Sequence, residues 1–351
     1  NNECRTQYLA DRDDYTDVWL ENVNYDCLSD SSTAAAIKSR EAHFPEIKRL
    51  GHRPIDHLTE TGLVRLKDDA YVPGPDAFTA TAAALILLGK ENRIKAEIPS
   101  AETVIAVEKP ITSPLTGTSW ENIVESLEKC ILFIEDQLAA KNFKLSRPMI
   151  TELVLNAYLH RCYRTRGAVQ IRVRQDEIEI QNPGGLLGSL TTESLIYEPP
   201  IYRNFKLADA ARQFGYCEKA GTGIDKVYHL AIVDGLDLPI FHSASNSFSV
   251  IIKTRRDEPF AKFIQSSAGS LNLSLPGLVV IRALRTYSEA DKMLLVRLAQ
   301  RPANYMDDAL CDLERRNIVY KTRTNRYRLT ETIINEMAKY GDSDQLPLFG
   351  R

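Results

Sequence analysis

Glu152 and Asn156 stand four residues apart, so a helix through them stacks a carboxylate one turn from a carboxamide on a single face. The amide oxygen of Asn156 suits a hard cation such as Mg²⁺, and Glu152 beside it could orient or deprotonate a water. Farther along, Gly221 and Gly223 bracket Thr222 just ahead of a helical pattern, which lets bare backbone N–H groups approach phosphates at a helix N-terminus. Between the two, Asp176-Glu-Ile-Glu-Ile-Gln-Asn182-Pro183-Gly184-Gly185 alternates as a strand and then breaks into a tight turn. Taken together these read as a nucleotide pocket in which one half supplies metal and the other phosphate.

Other phosphate-binding patterns fail. Residue 226 is Lys where a dinucleotide fingerprint needs its third Gly, and no P-loop surrounds Gly89-Lys90, because Glu91 stands in the Ser/Thr position and Ala84 in that of the leading Gly.

The order E-x-x-x-N helix, strand with glycine turn, connecting segment and G-x-G helix start resembles the GHKL ATPase superfamily. Asn156-Ala157-Tyr-Leu-His160-Arg161, Ile178 to Gly185, Tyr202-Arg203-Asn204 and Gly215 to Ile224 more closely resemble the branch named for the RecG-type helicase C-terminus, over about residues 54 to 254. That branch usually follows a Schlafen-like AlbA nucleic-acid-binding domain. The resemblance implies ATP and Mg²⁺ as cofactors. It casts Glu152 as the base, Asn156 as the metal ligand, and Asn182, Gly184, Gly185, Lys219, Gly221, Thr222 and Gly223 as nucleotide contacts. Three positions depart from the pattern. Asn182 stands where the superfamily places an Asp for the adenine amino group, Cys162 replaces an acidic residue, and Phe205 replaces a proline. An amide at 182 still accepts from an amino group and donates to a ring nitrogen, but it forfeits charge. Lys219 reads equally as a phosphate contact or a solvated charge, and His160 as a packing histidine before a metal ligand.

The chain of 351 residues, 44% hydrophobic and 26% charged, is long enough for two or three cores without covalent staples. Its net charge of −3 advertises no global field for nucleic acid, so any such surface is local. Six cysteines without C-x-x-C spacing, no long apolar run and no signal-peptide pattern point to a cytoplasmic protein without a membrane span.

The elements expected around the pocket make an α+β chain: a GHKL-like α/β sandwich, helices layered on an antiparallel or mixed sheet, preceded by a small α/β module and followed by a winged helix-turn-helix. Residues 1–53 read as an irregular lead-in from an upstream domain, 54–115 as the small module, and 116–256 as the nucleotide-binding domain. The linker is placed at 257–275, the winged helix at 276–340 and a flexible tail at 341–351. Thr118-Ser-Trp-Glu121 offers a capping box for a long helix whose stripe is Ile123, Leu127, Ile131, Ile134 and Leu138. Leu186 to Lys219, poor in periodicity, is the candidate lid.

The last folded segment carries three helical patterns and a basic hairpin, Ile318 to Leu329, that resembles a winged helix-turn-helix. Lys321, Arg323, Arg326 and Arg328 could lie along DNA phosphates, while Asp307, Asp308, Asp312 and Glu314 on the preceding helix would repel a major groove; docking or homodimerisation is the other use of such a module. The tail residues Gln345, Leu346, Leu348 and Phe349 resemble the short Q-L-x-L-F peptides that dock on the bacterial sliding clamp, or else pack back on the chain. The whole points to an ATP-binding regulator of DNA transactions, a transcriptional regulator with nucleotide-controlled lid closure and local DNA contact; weak Mg²⁺-dependent ATPase activity is left open. The alternative is a degenerate GHKL fold serving as a non-catalytic scaffold.

Overall fold

The computed structural model describes residues 14–48, 51–67, 74–108, 115–217 and 223–341. Its centre is a six-stranded sheet in the order Leu115–Ser119, Thr103–Val107, Val169–Val173, Glu177–Pro183, Ser247–Lys253, Ile240–Ala244. Neighbouring strands are antiparallel except Thr103–Val107 and Val169–Val173, which run parallel with Ile105 opposite Ile171. The alternation in sequence decides the faces: Val169, Ile171, Val173, Ile178 and Ile180 turn inward and are buried. The intervening Arg172, Arg174 and Glu179 share an ion-pair cluster with Glu108, so the other face is charged.

Two helices, Ile123–Ala139 and Arg147–His160, cover the apolar face and make the crossover between the parallel strands. The expected stripe from Ile123 to Leu138 is buried throughout. The cap differs from the expectation. Thr118 is paired to Val104 in the sheet, and Asn122 caps the helix instead, its Oδ1 accepting from Glu125 N at 3.1 Å. After the strand ends at Ser119, Asn122 is the first side chain of a type that caps helices, and its extended backbone is the geometry an N-cap needs, worth about 1 kcal/mol.

Three further expectations change. The lead-in contains a helix, Asp30–His43, capped by Ser29 and held by Arg40, which is buried and paired with Glu60 at 3.1 Å. That helix has small and polar residues where a stripe would be, so periodicity could not reveal it. Thr103–Val107, assigned to the small module, belongs to the large sheet, and one hydrophobic cluster runs from Val23 to Ile252. Finally, Glu258–Leu271 is a helix where a linker was expected, with Phe260, Phe263 and Ile264 buried at helical spacing.

Helices Leu275–Tyr287, Lys292–Ala299 and Ala303–Arg315 pack with a small sheet in which Arg326–Leu329 runs between Ala290–Asp291 and Val319–Lys321. Their apolar faces meet in a second cluster that also takes in Ile196 and Tyr228 from the part of the chain built around the large sheet. Among the described residues, no helix is long and apolar enough to cross a membrane.

Candidate functional site

The helix Arg147–His160 begins with Pro148 in its first turn and buries Ile150, Val154 and Tyr158 toward the sheet. Its opposite side carries Glu152 and Asn156, both partly buried, and Asn156 Nδ2 donates to Glu152 Oε1 at 3.2 Å. That bond leaves the Asn156 amide oxygen as the atom suited to a cation. Gly223 opens the helix Gly223–Val233 directly against this pair. A Cβ at Gly223 would overlap Glu152 Oε1, stand 2.9 Å from its Cδ and 3.4 Å from Asn156 Nδ2. Glycine is therefore required here by close approach, and a carboxylate at a helix N-terminus is favourably placed.

Asn182 is buried at the end of its strand, with its amide nitrogen donating to Pro183 O at 3.2 Å. Gly184 follows with φ +95°, a conformation L side chains rarely adopt, and its N–H donates to Asn246 O at 2.8 Å. A Cβ on Gly185 would overlap the backbone oxygen of Ala244. The turn thus locks into the hairpin beside it, and Cys162 N donates to Pro183 O at 2.7 Å, which ties it to the end of the Glu152 helix.

Two residues from the quoted motifs fix that helix end. The buried Asn204 donates through Nδ2 to Leu159 O at 3.0 Å and Arg161 O at 2.7 Å, satisfying carbonyls that a helix terminus leaves open. Arg161, fully buried, gives its guanidinium to the backbone oxygens of Glu102, Gly167 and Ser100. Sequence spacing could not assign either role, although both residues lay inside the motifs.

The helix, the turn and the segment 186–203 surround a cavity of about 150 Å³. Glu152, Asn156, Asn182, Gly184, Gly185 and Gly223 all line it, so the described members of the expected site come together. Lys219, Gly221 and Thr222 lie outside the described residues. The expected lid contributes Leu186, Leu187, Leu190, Leu195 and Ile201 to one wall, and Phe241 and Phe248 close the far side. The lid's second half is already anchored: Phe205–Gln213 is a helix whose Leu207, Ala210 and Ala211 belong to the core.

His160 lines the cavity with its ring stacked on Tyr202, 5.2 Å between centroids and 18° between planes. Burial, then the nearby Arg203 charge, push its pKa down to about 4, so the imidazole is neutral at pH 7. The histidine expected to be a packing residue is part of the pocket wall. Among the described residues there is no group of three or more His, Cys, Asp or Glu side chains able to hold a metal unaided. A Mg²⁺ ion that keeps most ligands from phosphate and water needs fewer from the protein, and Asn156 is compatible with that. Burial, the largest single influence, pushes the Cys162 thiol up, but hydrogen bonds from Thr165 and the Arg164 backbone and the charge of Arg203 outweigh it and leave the thiol below its usual range. Burial raises Cys217 to about 11, as suits a small wall residue.

On the hairpin Val319–Leu329, Arg326 and Arg328 both pair with Glu289, at 2.6 and 2.5 Å, and Lys321 lies over the Tyr327 ring at 5.7 Å. Arg323 sits exposed at the turn. The tail residues Gln345, Leu346, Leu348 and Phe349 lie outside the described residues.

Residues 167–252 match the family described as "Putative ATP-dependent DNA helicase recG C-terminal", an ATPase-type domain family that agrees with the GHKL-like branch. The match holds the Asn182 turn and Gly223 and stops short of Glu152 and Asn156. Comparison with curated proteins gives no match. Among solved structures, the DIP2311 protein from Corynebacterium diphtheriae is similar in fold, with a TM-score of 0.69 at 16% identity. The similarity covers 96% of this chain and 57% of that one, so the chain spans little more than half the length of its structural neighbour.

Proposed function

We propose that the chain is an ATP-binding regulator of DNA transactions, acting in transcription, whose cavity takes Mg²⁺-bound ATP. The observation that carries this reading is the fit of Gly223 against Glu152 and Asn156, which brings a helix N-terminus, a carboxylate and a carboxamide side chain together. Asn182 offers the base an acceptor oxygen beside a donor nitrogen, the pairing adenine presents in reverse. Asn156 would hold the metal, which would neutralise phosphate charge there, and Glu152 would accept a proton from water if turnover occurs. Lys219, Gly221 and Thr222 complete the phosphate side by analogy with the family.

The C-terminal helices and hairpin have the element order of a winged helix, and Lys321, Arg323, Arg326 and Arg328 are its candidate phosphate contacts. The Schlafen-like AlbA association, homodimerisation and clamp docking through Gln345 to Phe349 extend the same reading. A thermal-shift titration with ATP and MgCl₂ tests the core of it: ligand at 100 times its Kd adds about 2.7 kcal/mol of stability. Asn156→Ala should abolish the Mg²⁺-dependent part of the shift and Glu152→Gln should retain it. No shift in the parent protein, or an equal shift in Asn156→Ala, refutes the site.

A further inference from the structure

The cavity wall formed by residues 186–203 is also attached to the C-terminal helices, and one buried side chain makes the attachment. Gln300 closes the helix Lys292–Ala299 with left-handed backbone, φ 49°, and is buried. Its Oε1 accepts from Ile196 N at 3.1 Å, in the middle of the cavity wall, and its Nε2 donates to Tyr228 OH at 3.0 Å, on the helix that Gly223 begins. The next residue, Arg301, pairs with Asp225 of that same helix at 3.2 Å. Beside them Ile196 is buried among C-terminal side chains and Tyr197 meets Tyr305 edge-on at 6.1 Å. Gln300-Arg301 therefore ties two boundaries of the cavity, the leucine-rich segment and the Gly223 helix, to one C-terminal element.

The cavity, about 150 Å³, falls below the ~300–1,000 Å³ of ligand pockets. To take in a whole nucleotide the cavity has to widen, and outward movement of the segment 186–203 at Ile196 breaks the bond to Gln300.

We propose that Gln300 is a latch, and that filling the cavity and seating the C-terminal helices compete through it. The coupling rests on the nucleotide reading above; the latch itself does not. Ligand that moves residues 186–203 breaks the Ile196–Gln300 bond and loosens the C-terminal helices, and by reciprocity whatever draws those helices away opens the cavity.

Gln300→Asn tests this in the full chain. Asparagine tolerates left-handed backbone but is one methylene too short for either bond. Hydrogen exchange without nucleotide should then quicken about ten-fold at residues 194–198, with parent-like exchange in the sheet strands 169–183, and Mg²⁺-bound ATP should bind several-fold tighter. Tyr228→Phe, which keeps the ring on Phe241 and removes only the hydroxyl, should give a smaller change of the same sign, and the two changes should not add. Unchanged exchange at 194–198 in both variants overturns the latch. Faster exchange with unchanged affinity overturns the coupling. Nucleotide binding to neither parent nor variant refutes the nucleotide reading and the coupling with it, while exchange still decides the latch.

Discussion

Gly223→Ala separates the site from the fold. In the parent, the position a Cβ would take is occupied by the Glu152 carboxylate, with the side chain of Asn156 3.4 Å away. The overlapped atom is the far end of a flexible side chain, so Glu152 can turn away at a cost of about 0.5–1.5 kcal/mol. Alanine at a helical position returns up to ~1 kcal/mol relative to glycine, and Gly223 has no left-handed φ to forbid it. The two terms nearly cancel, and the melting temperature should stay within about 2 °C of the parent. The site does not survive the same exchange, because the carboxylate leaves the helix start and its bond to Asn156 Nδ2 at 3.2 Å is broken. Calorimetric titration with Mg²⁺-bound ATP should show at least about ten-fold weaker binding, equal to 1.4 kcal/mol. Adding Glu152→Ala removes the carboxylate altogether, so the double variant should bind no more tightly than Gly223→Ala. Parent-like affinity in Gly223→Ala would show that ligand does not meet this helix start and would refute the assignment.

Gly185→Ala meets a different obstacle, the backbone oxygen of Ala244, which cannot rotate away; urea denaturation should register a loss of about 1–3 kcal/mol, and no loss would contradict the packing. His160, held neutral with a pKa near 4 against 6.5 when unfolded, contributes stability that is complete above pH 6.5 and is lost as pH falls toward 4. The span is on the order of 3 kcal/mol, and His160→Phe, which keeps the stacking on Tyr202, should flatten the stability profile between pH 6.5 and 4.5; an unaltered profile would place the titration elsewhere. On the hairpin, Glu289 occupies Arg326 and Arg328, so Glu289→Gln should free both for phosphate and tighten duplex DNA binding several-fold at low salt, with a steeper salt dependence. Anisotropy titrations that show no gain would exclude these two arginines from the contact.

The parts of the site that could be read from sequence are those whose partners are near in the chain. Glu152 and Asn156 meet because helical geometry forces i and i+4 together, and Asn182 to Gly185 announce a break because alternation ends in residues that strands reject. Gly223 could be recognised as a helix start, but not as a glycine demanded by a carboxylate from a helix far upstream. The parallel pairing of Thr103–Val107 with Val169–Val173 was hidden for a related reason: alternation tells which face a residue takes and says nothing about which strand lies alongside. Helix Asp30–His43 was hidden because its burial relies on Ala36 and on an arginine, not on an apolar stripe.

Buried polar residues explain most of what remained. Asn204, Arg161 and Gln300 look like surface residues in a sequence, yet each is buried because each supplies donors to backbone oxygens, or bonds across elements, that burial would otherwise leave unmatched. Asn204 and Arg161 fix the end of the Glu152 helix, which Cys162 N ties to the Asn182 turn, so the spacing of Asn156 from Asn182 is set by residues outside that pair. Gln300 does the same between the cavity and the C-terminal helices. The chemistry of the site is thus carried by side chains legible from spacing, while its dimensions are carried by buried amides and guanidinium groups whose roles exist only once the chain has folded.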